Sequence, residues 1–209
     1  MDEQRTAEWF AERCGKVTAS RIADVMAKTK NGPSATRSNY MAELIAERLT
    51  GNPKPSFTNA AMQHGTDTEP QARAMYELET GVTVLETGFH HHPSIEGTGA
   101  SPDGMVGDNG LVEIKCPNTA THIEALRGGP IDRKYMLQMH WQMICTERAW
   151  CDFVSFDPRL PVEMQIHIQR VPLNAELAEE ITEAVTTFLA EINLTVAELE
   201  ARYLQKEYA

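Results

Sequence analysis

Two carboxylates and one ammonium group stand close together in the sequence, on either side of a turn signal. The carboxylates belong to Asp103 and Glu113, and the ammonium belongs to Lys115. Two adjacent carboxylates repel each other unless a cation lies between them, and hard oxygen ligands suit Mg²⁺ or Mn²⁺. A lysine beside such a site can orient or deprotonate water and offset negative charge that builds up on a phosphate. These residue types therefore indicate metal-dependent attack of water on a phosphate ester.

A predicted β-hairpin brings the three side chains to one face. Residues 108–110, Asp-Asn-Gly, form a strong turn signal because Asn and Gly accept positive φ at little cost. Residues 111–115 alternate apolar and polar side chains, which is typical of a half-buried strand. Glu113 and Lys115 then point to the same side, and the turn brings Asp103 back towards Glu113. For an isolated Glu-x-Lys pair, the alternative is a solvent-facing hairpin with a weak surface ion pair.

A wider pattern around the hairpin resembles the motifs of known nucleases. Asp103 followed by Glu-Ile-Lys at 113–115 resembles the Asp…(Asp/Glu)-x-Lys motif of the restriction-endonuclease-like nucleases. Ser-Pro-Asp-Gly at 101–104, together with Val-Glu-Ile-Lys-Cys-Pro at 112–117, is similar more narrowly to the phage lambda exonuclease family, the alkaline exonucleases of viral recombination systems. The similarity covers about 9–158, and the combined motifs are far more specific than Asp…Glu-x-Lys alone.

This resemblance implies an α/β fold with a mixed central β-sheet flanked by helices, as in the restriction-endonuclease-like nucleases. We expect a single nuclease domain over residues 1–209, with its core at about 9–171 and C-terminal helices at about 173–204. The length suits one domain and is sufficient for a substantial hydrophobic core.

The periodicity of apolar residues predicts the individual elements. Strands are predicted at 82–89, 111–115, 149–156 and 164–171, and helices at 19–28, 38–49, 119–127, 132–146 and 173–192, with another helix ending at Gly81 and a last one capped by Thr195 and Glu198. The strands at 149–156 and 164–171 are expected to extend the central sheet.

The resemblance also implies an activity. The expected enzyme is a Mg²⁺-dependent 5′→3′ exonuclease, with Mn²⁺ as an alternative ion, that degrades one strand of linear double-stranded DNA from 5′-phosphorylated ends. It would release mononucleotides and leave a 3′ single-stranded overhang for phage-type recombination by strand annealing. The family implies a ring-shaped homotrimer around the DNA and a single-strand DNA annealing protein as partner. Two alternatives stay open, namely an endonuclease or junction resolvase on the same fold and a non-catalytic DNA-end-binding module.

By the same resemblance, four groups would hold one or two metal ions. They are the carboxylates of Asp103, Glu113 and Glu69 and the backbone carbonyl of Ile114. Lys115 would position or activate the attacking water, and the metal would stabilise the in-line transition state.

Glu69 has a competing interpretation. Thr66 and Glu69 are three residues apart, which is the spacing of a helix-capping box. Spacing alone favours the cap, whereas the resemblance favours a glutamate that faces the metal site.

The resemblance assigns a further set of residues to DNA. Arg13, Ser20, Ser101 and Gln138 match positions that hold a 5′ phosphate, and Met62 aligns with an apolar wedge between terminal base pairs. An arginine fork with hydroxyl groups at a helix N-terminus is chemically suited to a terminal phosphate. Without the resemblance, Ser20 is a simple helix cap, Arg13 a surface charge and Met62 a core residue.

Gln142, four residues after Gln138, stands where some relatives in the wider nuclease group place a tyrosine. Residues four apart share a helix face, so both amides point the same way. The role of Gln142 is left open.

The overall charge is acidic, with 19 basic and 30 acidic residues and a formal net charge of −11. Phosphate contacts need Lys and Arg, so DNA binding requires an uneven distribution of charge. Acidic residues are dense in the C-terminal third, whereas basic ones recur nearer the motifs. We therefore expect a basic channel on an acidic body. No apolar run approaches the length of a membrane span and the first residues do not form a signal peptide, so we expect a cytoplasmic protein of a phage or prophage in a bacterial cell, with no membrane partner.

The cysteines and a histidine triplet give no clear metal motif. Cys14, Cys116, Cys145 and Cys151 contain no C-x-x-C pair, which favours free thiols. An iron–sulfur cluster on these four residues is the alternative, although they lack tight spacing. The three histidines at 90–92 would alternate in direction on a strand, so we expect a strand end and loop rather than a ligand set.

Overall fold

A computed structural model describes residues 4–30, 32–55 and 59–204 of the chain. Within these ranges the helices are α1 (Ala7–Arg13), α2 (Ile22–Val25), α3 (Ala35–Thr50), α4 (Ala60–Thr80), α5 (Thr119–Leu126), α6 (Arg133–Thr146) and α7 (Ala175–Tyr203). The strands are β1 (Val17–Thr18), β2 (Lys28–Thr29), β3 (Gly32–Pro33), β4 (Val84–Leu85), β5 (His90–His91), β6 (Thr98–Ala100), β7 (Gly104–Val106), β8 (Gly110–Lys115), β9 (Trp150–Phe156) and β10 (Ile166–Pro172). Two 3₁₀ turns lie at Ala19–Arg21 and Val162–Met164. A search of the described helices finds none with the length and apolar character of a bilayer span.

The largest sheet has five strands in the order β10-β9-β8-β7-β4. Strands β8 and β9 are parallel, and the other neighbours are antiparallel. A three-stranded sheet has the order β1-β6-β5, and β2 pairs with β3. The expected fold class, a mixed sheet flanked by helices, is confirmed.

The hairpin of β7 and β8 has the predicted position. Gly104 pairs with Val112, and Val106 pairs with Gly110 across the turn. Gly110 lies directly under the ring of Trp150, which a Cβ atom at this position would overlap. The turn and its flanking alternation are local signals, and they set this register correctly.

The five-stranded sheet is covered on both faces by helices. On one face, Ala72 and Tyr76 of α4 pack against strand residues such as Val112 and Val154. On the other face, Met139 and Met143 of α6 pack against Leu111 and its neighbours. Because side chains alternate along a strand, β8 sends Val112 towards α4 and its neighbours 111 and 113 towards α6.

A second core joins the C-terminal helix to the N-terminal part of the chain. Phe188 and Ile192 of α7 pack with Tyr40 of α3, Ile22 of α2 and Trp141 of α6. Helix α6 therefore has two roles, since it covers the sheet on one side and supports α7 on the other.

The C-terminal region is one helix rather than the two that were predicted. Helix α7 runs unbroken from Ala175 to Tyr203. The Thr195 hydroxyl donates to the backbone carbonyl of Glu191, 2.9 Å away, so Thr195 lies in the helix interior and does not cap a new helix. The prediction of a cap at Thr195 and Glu198 is wrong because a Thr-x-x-Glu spacing also fits the middle of a helix.

Three other boundaries differ from the prediction. The helix predicted at 38–49 begins at Ala35, because the Ser34 side chain caps it. The strand predicted at 82–89 is reduced to Val84–Leu85, since its partner β7 has only three residues. The helix predicted at 19–28 is a 3₁₀ turn followed by the short helix α2.

Candidate active site

Glu113 is the buried centre of the site. Its carboxylate is fully shielded from solvent on the α6 face of the sheet. The amide of Gln138 donates to Oε1 at 2.7 Å, and the amide of Gln142 donates to Oε2 at 2.6 Å. The Lys115 ammonium also donates to Oε1. The alternative of a solvent-facing hairpin with a weak ion pair is therefore wrong.

The two glutamines reach Glu113 because they lie one turn apart on α6, with both side chains directed to the sheet. Gln138 was expected at the 5′ phosphate, which stays a prediction, and in the structure its amide contacts Glu113. The amide of Gln142, whose role the sequence left open, also donates a hydrogen bond to Glu113. The Gln142 Oε1 atom is buried and has no hydrogen-bond partner among the described residues.

Asp103 lies at the open end of the hairpin, just before β7. Its Oδ2 atom accepts the backbone N–H of Ile114 at 2.7 Å, so the carboxylate is tied to the strand that carries Glu113. Burial, followed by the negative charge of Glu113, raises the pKa of Asp103 to about 8. Asp103 therefore keeps a proton in the neutral range.

Lys115 provides the nearby positive charge. Burial on its own would lower the pKa of Lys115, but the carboxylates of Glu113 and Asp103 outweigh this effect and raise it above its usual range. The ammonium also lies 5.1 Å from the centre of the Tyr135 ring, within cation–π range. Lys115 is thus a firmly protonated cation at neutral pH.

A cleft of about 890 Å³ opens at this end of the hairpin. Asp103 and Lys115 lie in it beside residues of α4 on one wall and of α5 and α6 on the other. Met62 is in the α4 wall and is 54% exposed, so it is not a core residue. Its position agrees with the expected contact to DNA, which stays a prediction.

Glu69 lies in the same cleft, in the middle of α4. The helix begins at Ala60 and is capped by Asn59. The Thr66 hydroxyl donates to the carbonyl of Met62 at 3.1 Å, so the capping-box interpretation of Glu69 is wrong.

The Glu69 carboxylate is already paired within the protein. It accepts from Arg73 at 3.0 Å and from Arg5 at 2.8 Å. No group of three or more His, Cys, Asp or Glu side chains is placed to share a metal ion in the part of the chain that the structure describes. Glu69 lines the cleft together with Asp103, and its negative charge is one of the causes that raise the pKa of Asp103, while its expected place at a metal ion stays a prediction.

The donor set of Asp103 and Glu113 fits a hard divalent cation. Asp103 and Ile114 line the cleft, whereas the carboxylate of Glu113 is buried beside Lys115. Two carboxylates are near a single ammonium, and burial, followed by the charge of Glu113, raises the pKa of Asp103. Oxygen donors in a negative pocket are the ligands that Mg²⁺ and Mn²⁺ prefer.

Two of the expected phosphate-binding residues lie together. Ser101 Oγ accepts from Arg13 Nη1 at 3.4 Å and from Trp9 Nε1 at 3.0 Å. The Arg13 guanidinium stacks on Trp9, with 3.9 Å between its carbon and the ring centre. Sequence reasoning missed Trp9, although its spacing of four from Arg13 on a helix was a usable signal.

Ser20 follows strand β1, which pairs with β6 just before Ser101. It is exposed within the 3₁₀ turn Ala19–Arg21, where Thr18 occupies the N-cap position. Ser20 is therefore not a helix cap. The structure brings together Arg13 and Ser101, and the expected roles of Ser20 and Gln138 at a phosphate stay predictions.

The expected basic channel is not found in the cleft of one chain. Among the described residues, the charged side chains that line the cleft are three basic ones, Arg5, Lys115 and Lys134, and four acidic ones, Glu69, Asp103, Glu124 and Asp132. Arg5 was not recognised in the sequence, because nothing near position 5 indicates a site.

The cysteines and histidines have ordinary structural roles. All four cysteines are free thiols, and they do not form one cluster. His90 and His91 form β5, and the His92 ring accepts the backbone N–H of Ser94 at 3.1 Å. The prediction of a strand end and loop at the triplet is confirmed.

The fold and the carboxylate–lysine cluster together define an α/β protein of the nuclease type. Residues 8–149 match the YqaJ-like viral recombinase domain, which is more than half of the chain. The chain therefore belongs to the YqaJ-like viral recombinase family, and the expected relation to the phage recombination exonucleases is confirmed.

Solved structures give the same relation. The chain is 53% identical to an alkaline exonuclease, LHK-Exo, from Laribacter hongkongensis, with 97% of this chain and 100% of that chain covered and a TM-score of 0.90. A structure of LHK-Exo in complex with dAMP matches equally well. A phage-related exonuclease from Haemophilus somnus 129PT is similar in fold, at 18% identity over 88% of this chain and 96% of that one, with a TM-score of 0.71. A comparison with curated proteins gives no match.

Proposed function

We propose that this protein is a Mg²⁺-dependent 5′→3′ exonuclease that degrades one strand of linear double-stranded DNA from a 5′-phosphorylated end. The products would be mononucleotides and a 3′ single-stranded overhang. The observation that carries the proposal is the cluster of the buried Glu113 carboxylate with Asp103 and Lys115, the last two of which line an open cleft. The family and the alkaline exonuclease at 53% identity support a DNA exonuclease as the general activity.

Asp103, Glu113 and the carbonyl of Ile114 would hold the metal. Bound Mg²⁺ supplies charge stabilisation on a phosphate and its leaving oxygen. We include Glu69 as a further carboxylate on the opposite cleft wall. Mn²⁺ has the same ligand preference and is the natural substitute.

Lys115 would act as a cation rather than as a base. Its raised pKa keeps the ammonium protonated at neutral pH, so it can donate hydrogen bonds to water or to a phosphate oxygen. Gln138 and Gln142 would act as positioning residues, because their amides fix both oxygens of Glu113. A carboxylate held on both oxygens loses little freedom when its ligand arrives, which is the function of such supporting bonds.

The 5′→3′ polarity rests on the proposed phosphate site. We centre this site on Arg13 and Ser101, where a guanidinium stacked on Trp9 presents its fork beside a hydroxyl. Ser20, exposed on its turn, stays a candidate hydroxyl donor to the same phosphate. Met62 on the α4 wall is the candidate wedge between terminal base pairs, since a flexible apolar side chain can lie against an unstacked base.

The resemblance also motivates a quaternary arrangement, namely a homotrimeric ring that encloses DNA. The cleft has no excess of basic side chains, so the affinity of a single chain for DNA would be modest. A ring retains its substrate by enclosing it and needs fewer phosphate contacts. Sedimentation at micromolar concentration tests this arrangement, and a monomer would exclude it. The proposed partner downstream is a single-strand DNA annealing protein, which would take the 3′ overhang.

One digestion experiment tests the activity. A linear duplex with a 5′ phosphate, the same duplex with a 5′ hydroxyl and a closed circle are each incubated with the protein in Mg²⁺, in Mn²⁺ and in EDTA. We expect loss of the phosphorylated linear DNA in either metal, slower loss of the hydroxyl form and an intact circle. The Glu113→Gln variant, purified in parallel, controls for contaminating nucleases.

The other outcomes separate the alternatives. Cutting of the circle would establish an endonuclease or junction resolvase. Binding of linear ends without any cutting would establish the end-binding module. Arg13→Gln should reduce the preference for the 5′ phosphate, and an unchanged preference would remove Arg13 from the phosphate site.

A further inference from the structure

The N-terminal segment Gln4–Thr6 is anchored on both sides of Arg5, which lines the cleft. The Gln4 amide donates to the carbonyl of Thr87 at 3.0 Å and to the carbonyl of Pro102 at 2.7 Å. Pro102 directly precedes Asp103, so this anchor is at the edge of the carboxylate site. On the other side, the Thr6 hydroxyl caps α1 by accepting the backbone N–H of Trp9 at 3.2 Å.

Arg5 projects from this segment into the cleft. Its φ of +70° is in the left-handed region, which costs free energy for a residue with a side chain, and the anchors on either side hold it there. The side chain is 50% exposed and is among the residues that line the cleft. The guanidinium donates to Glu69 at 2.8 Å.

Glu69 has two arginine partners, and its bond to Arg5 is the one that another anion can replace. Glu69 also accepts from Arg73, whose side chain is only 14% exposed and which pairs with Glu86 as well. An ion pair with a half-exposed partner contributes little stability in water. Glu69 therefore keeps its buried partner when Arg5 leaves, and the movement of Arg5 requires no change in the helix.

We propose that Arg5 is a substrate-binding residue that exchanges the Glu69 carboxylate for a backbone phosphate of the DNA strand in the cleft. The planar fork of arginine matches two phosphate oxygens as well as it matches a carboxylate. The exchange brings a cation to the substrate and leaves Glu69 facing the cleft with one partner fewer. This inference rests on the proposed function, because it takes DNA as the ligand.

DNA binding without cleavage tests the exchange. The affinity for a fluorescent, 5′-phosphorylated linear duplex is measured by anisotropy in EDTA over a series of salt concentrations. Each phosphate contact contributes about 0.9 to the slope of log K against log salt concentration. We expect Arg5→Gln to reduce this slope by about 0.9 relative to the wild type. Arg202→Gln, which removes an exposed arginine at the end of α7, is the matched control and should leave the slope unchanged.

Arg5→Lys distinguishes the fork from the charge. It keeps a cation on the same segment, so the slope should stay near the wild-type value while affinity falls several-fold because the bidentate contact is lost. A wild-type slope for Arg5→Gln would overturn the inference, as would an equal loss for Arg202→Gln. If the wild-type protein neither binds nor cleaves the duplex, the proposed function fails instead, so the two failures are distinguishable.

Discussion

Glu113 and Asp152 are buried carboxylates on neighbouring strands, and they face opposite sides of the same sheet. In the parallel pairing of β8 and β9, Val112 is opposite Asp152 and Glu113 is opposite Phe153. Glu113 therefore faces α6, whereas Asp152 faces α4. Both carboxylates are at most 2% exposed, and both accept three hydrogen bonds or more from other side chains.

The negative charge of Asp152 is balanced by an arginine within its own cluster. Arg170 donates to both carboxylate oxygens at 2.9 Å and stacks on Trp150, and the Tyr76 hydroxyl donates at 2.8 Å. One negative charge meets one positive charge, and the ring of Trp150 covers the guanidinium. This cluster ties α4 to two strands, and it lines no part of the cleft among the described residues.

The negative charge of Glu113 and Asp103 is only partly balanced. Its positive partner Lys115 is shared with a second carboxylate, Asp103, and the other donors to Glu113 are neutral amides. Asp103 and Lys115 also line the cleft, with Glu113 buried beside them. The comparison indicates that burial of a carboxylate does not identify a site. What distinguishes the two regions is the surplus negative charge beside a space that a ligand can enter.

Glu113→Gln provides the largest expected contrast. The substitution keeps the shape of the side chain and removes its charge, so cleavage of linear DNA should fall by a factor on the order of 10²–10³. The initial rate of nucleotide release measures the loss, and circular dichroism confirms folding. A variant that cleaves at the wild-type rate would show that the negative charge of Glu113 is not needed for cleavage.

Asp152→Asn should have the opposite effect. It removes the charge from the bonds to Arg170 and Tyr76 and should lower the free energy of unfolding by about 2 kcal/mol. Cleavage per folded molecule should stay at the wild-type value. Chemical denaturation measures the stability, with Asp67→Asn on the exposed side of α4 as a control that should change it by less than about 0.5 kcal/mol. A selective loss of cleavage would mean that the two regions are not separate.

The Gln142→Leu variant should have a smaller effect on cleavage. It removes one donor to Glu113 together with the unpaired Oε1 atom, so the carboxylate loses support while the cavity stays filled. We expect a decrease of about tenfold in cleavage, as is typical when a supporting hydrogen bond to a ligand residue is lost. Weaker protection of the fold by Mn²⁺ in thermal unfolding should accompany it. Unchanged protection together with unchanged activity would leave Gln142 with a packing role only.

The smallest expected effect is a gradual change of the melting temperature with pH. In the metal-free protein, Asp103 has a pKa raised from 3.8 to about 8, so the folded state keeps a proton that the unfolded state releases. Its contribution is fully present below pH 4 and is lost as the pH rises through about 8. The melting temperature in EDTA should therefore fall over this range, and Asp103→Asn should flatten the fall.

Addition of Mg²⁺ at pH 8 tests whether a cation at Asp103 stabilises the folded protein. A cation that binds only the folded state stabilises it by mass action, and it also replaces the proton between the carboxylates. The wild-type melting temperature should rise, and that of Asp103→Asn should rise less. Equal shifts in both proteins would place the ion elsewhere.

The hairpin shows what the sequence can predict. Turn residues and strand alternation are properties of a few consecutive positions, so the register of β7 and β8 and the meeting of Asp103 with Glu113 follow from local rules. The cap at Ser34 is also a local signal, and it explains why the helix predicted at 38–49 begins earlier than its apolar periodicity suggests.

The environment of Glu113 depends on contacts that the sequence does not display. Gln138 and Gln142 are 25 and 29 residues from Glu113, and Arg5 is 64 residues from Glu69. No spacing rule connects such positions until the sheet and α6 are placed together. Burial of Glu113 was missed for the same reason, because alternation identifies the face of a strand but not what covers that face.

The position of β8 between β7 and β9 has a consequence for how the protein unfolds. Both edges of this strand are hydrogen-bonded to neighbours, so the amides near Glu113 exchange with solvent only when most of the sheet opens. Local fraying can release the short edge strand β4, but it cannot release the carboxylate. Heat should therefore inactivate this protein in a single step, in which the site persists until the whole fold is lost.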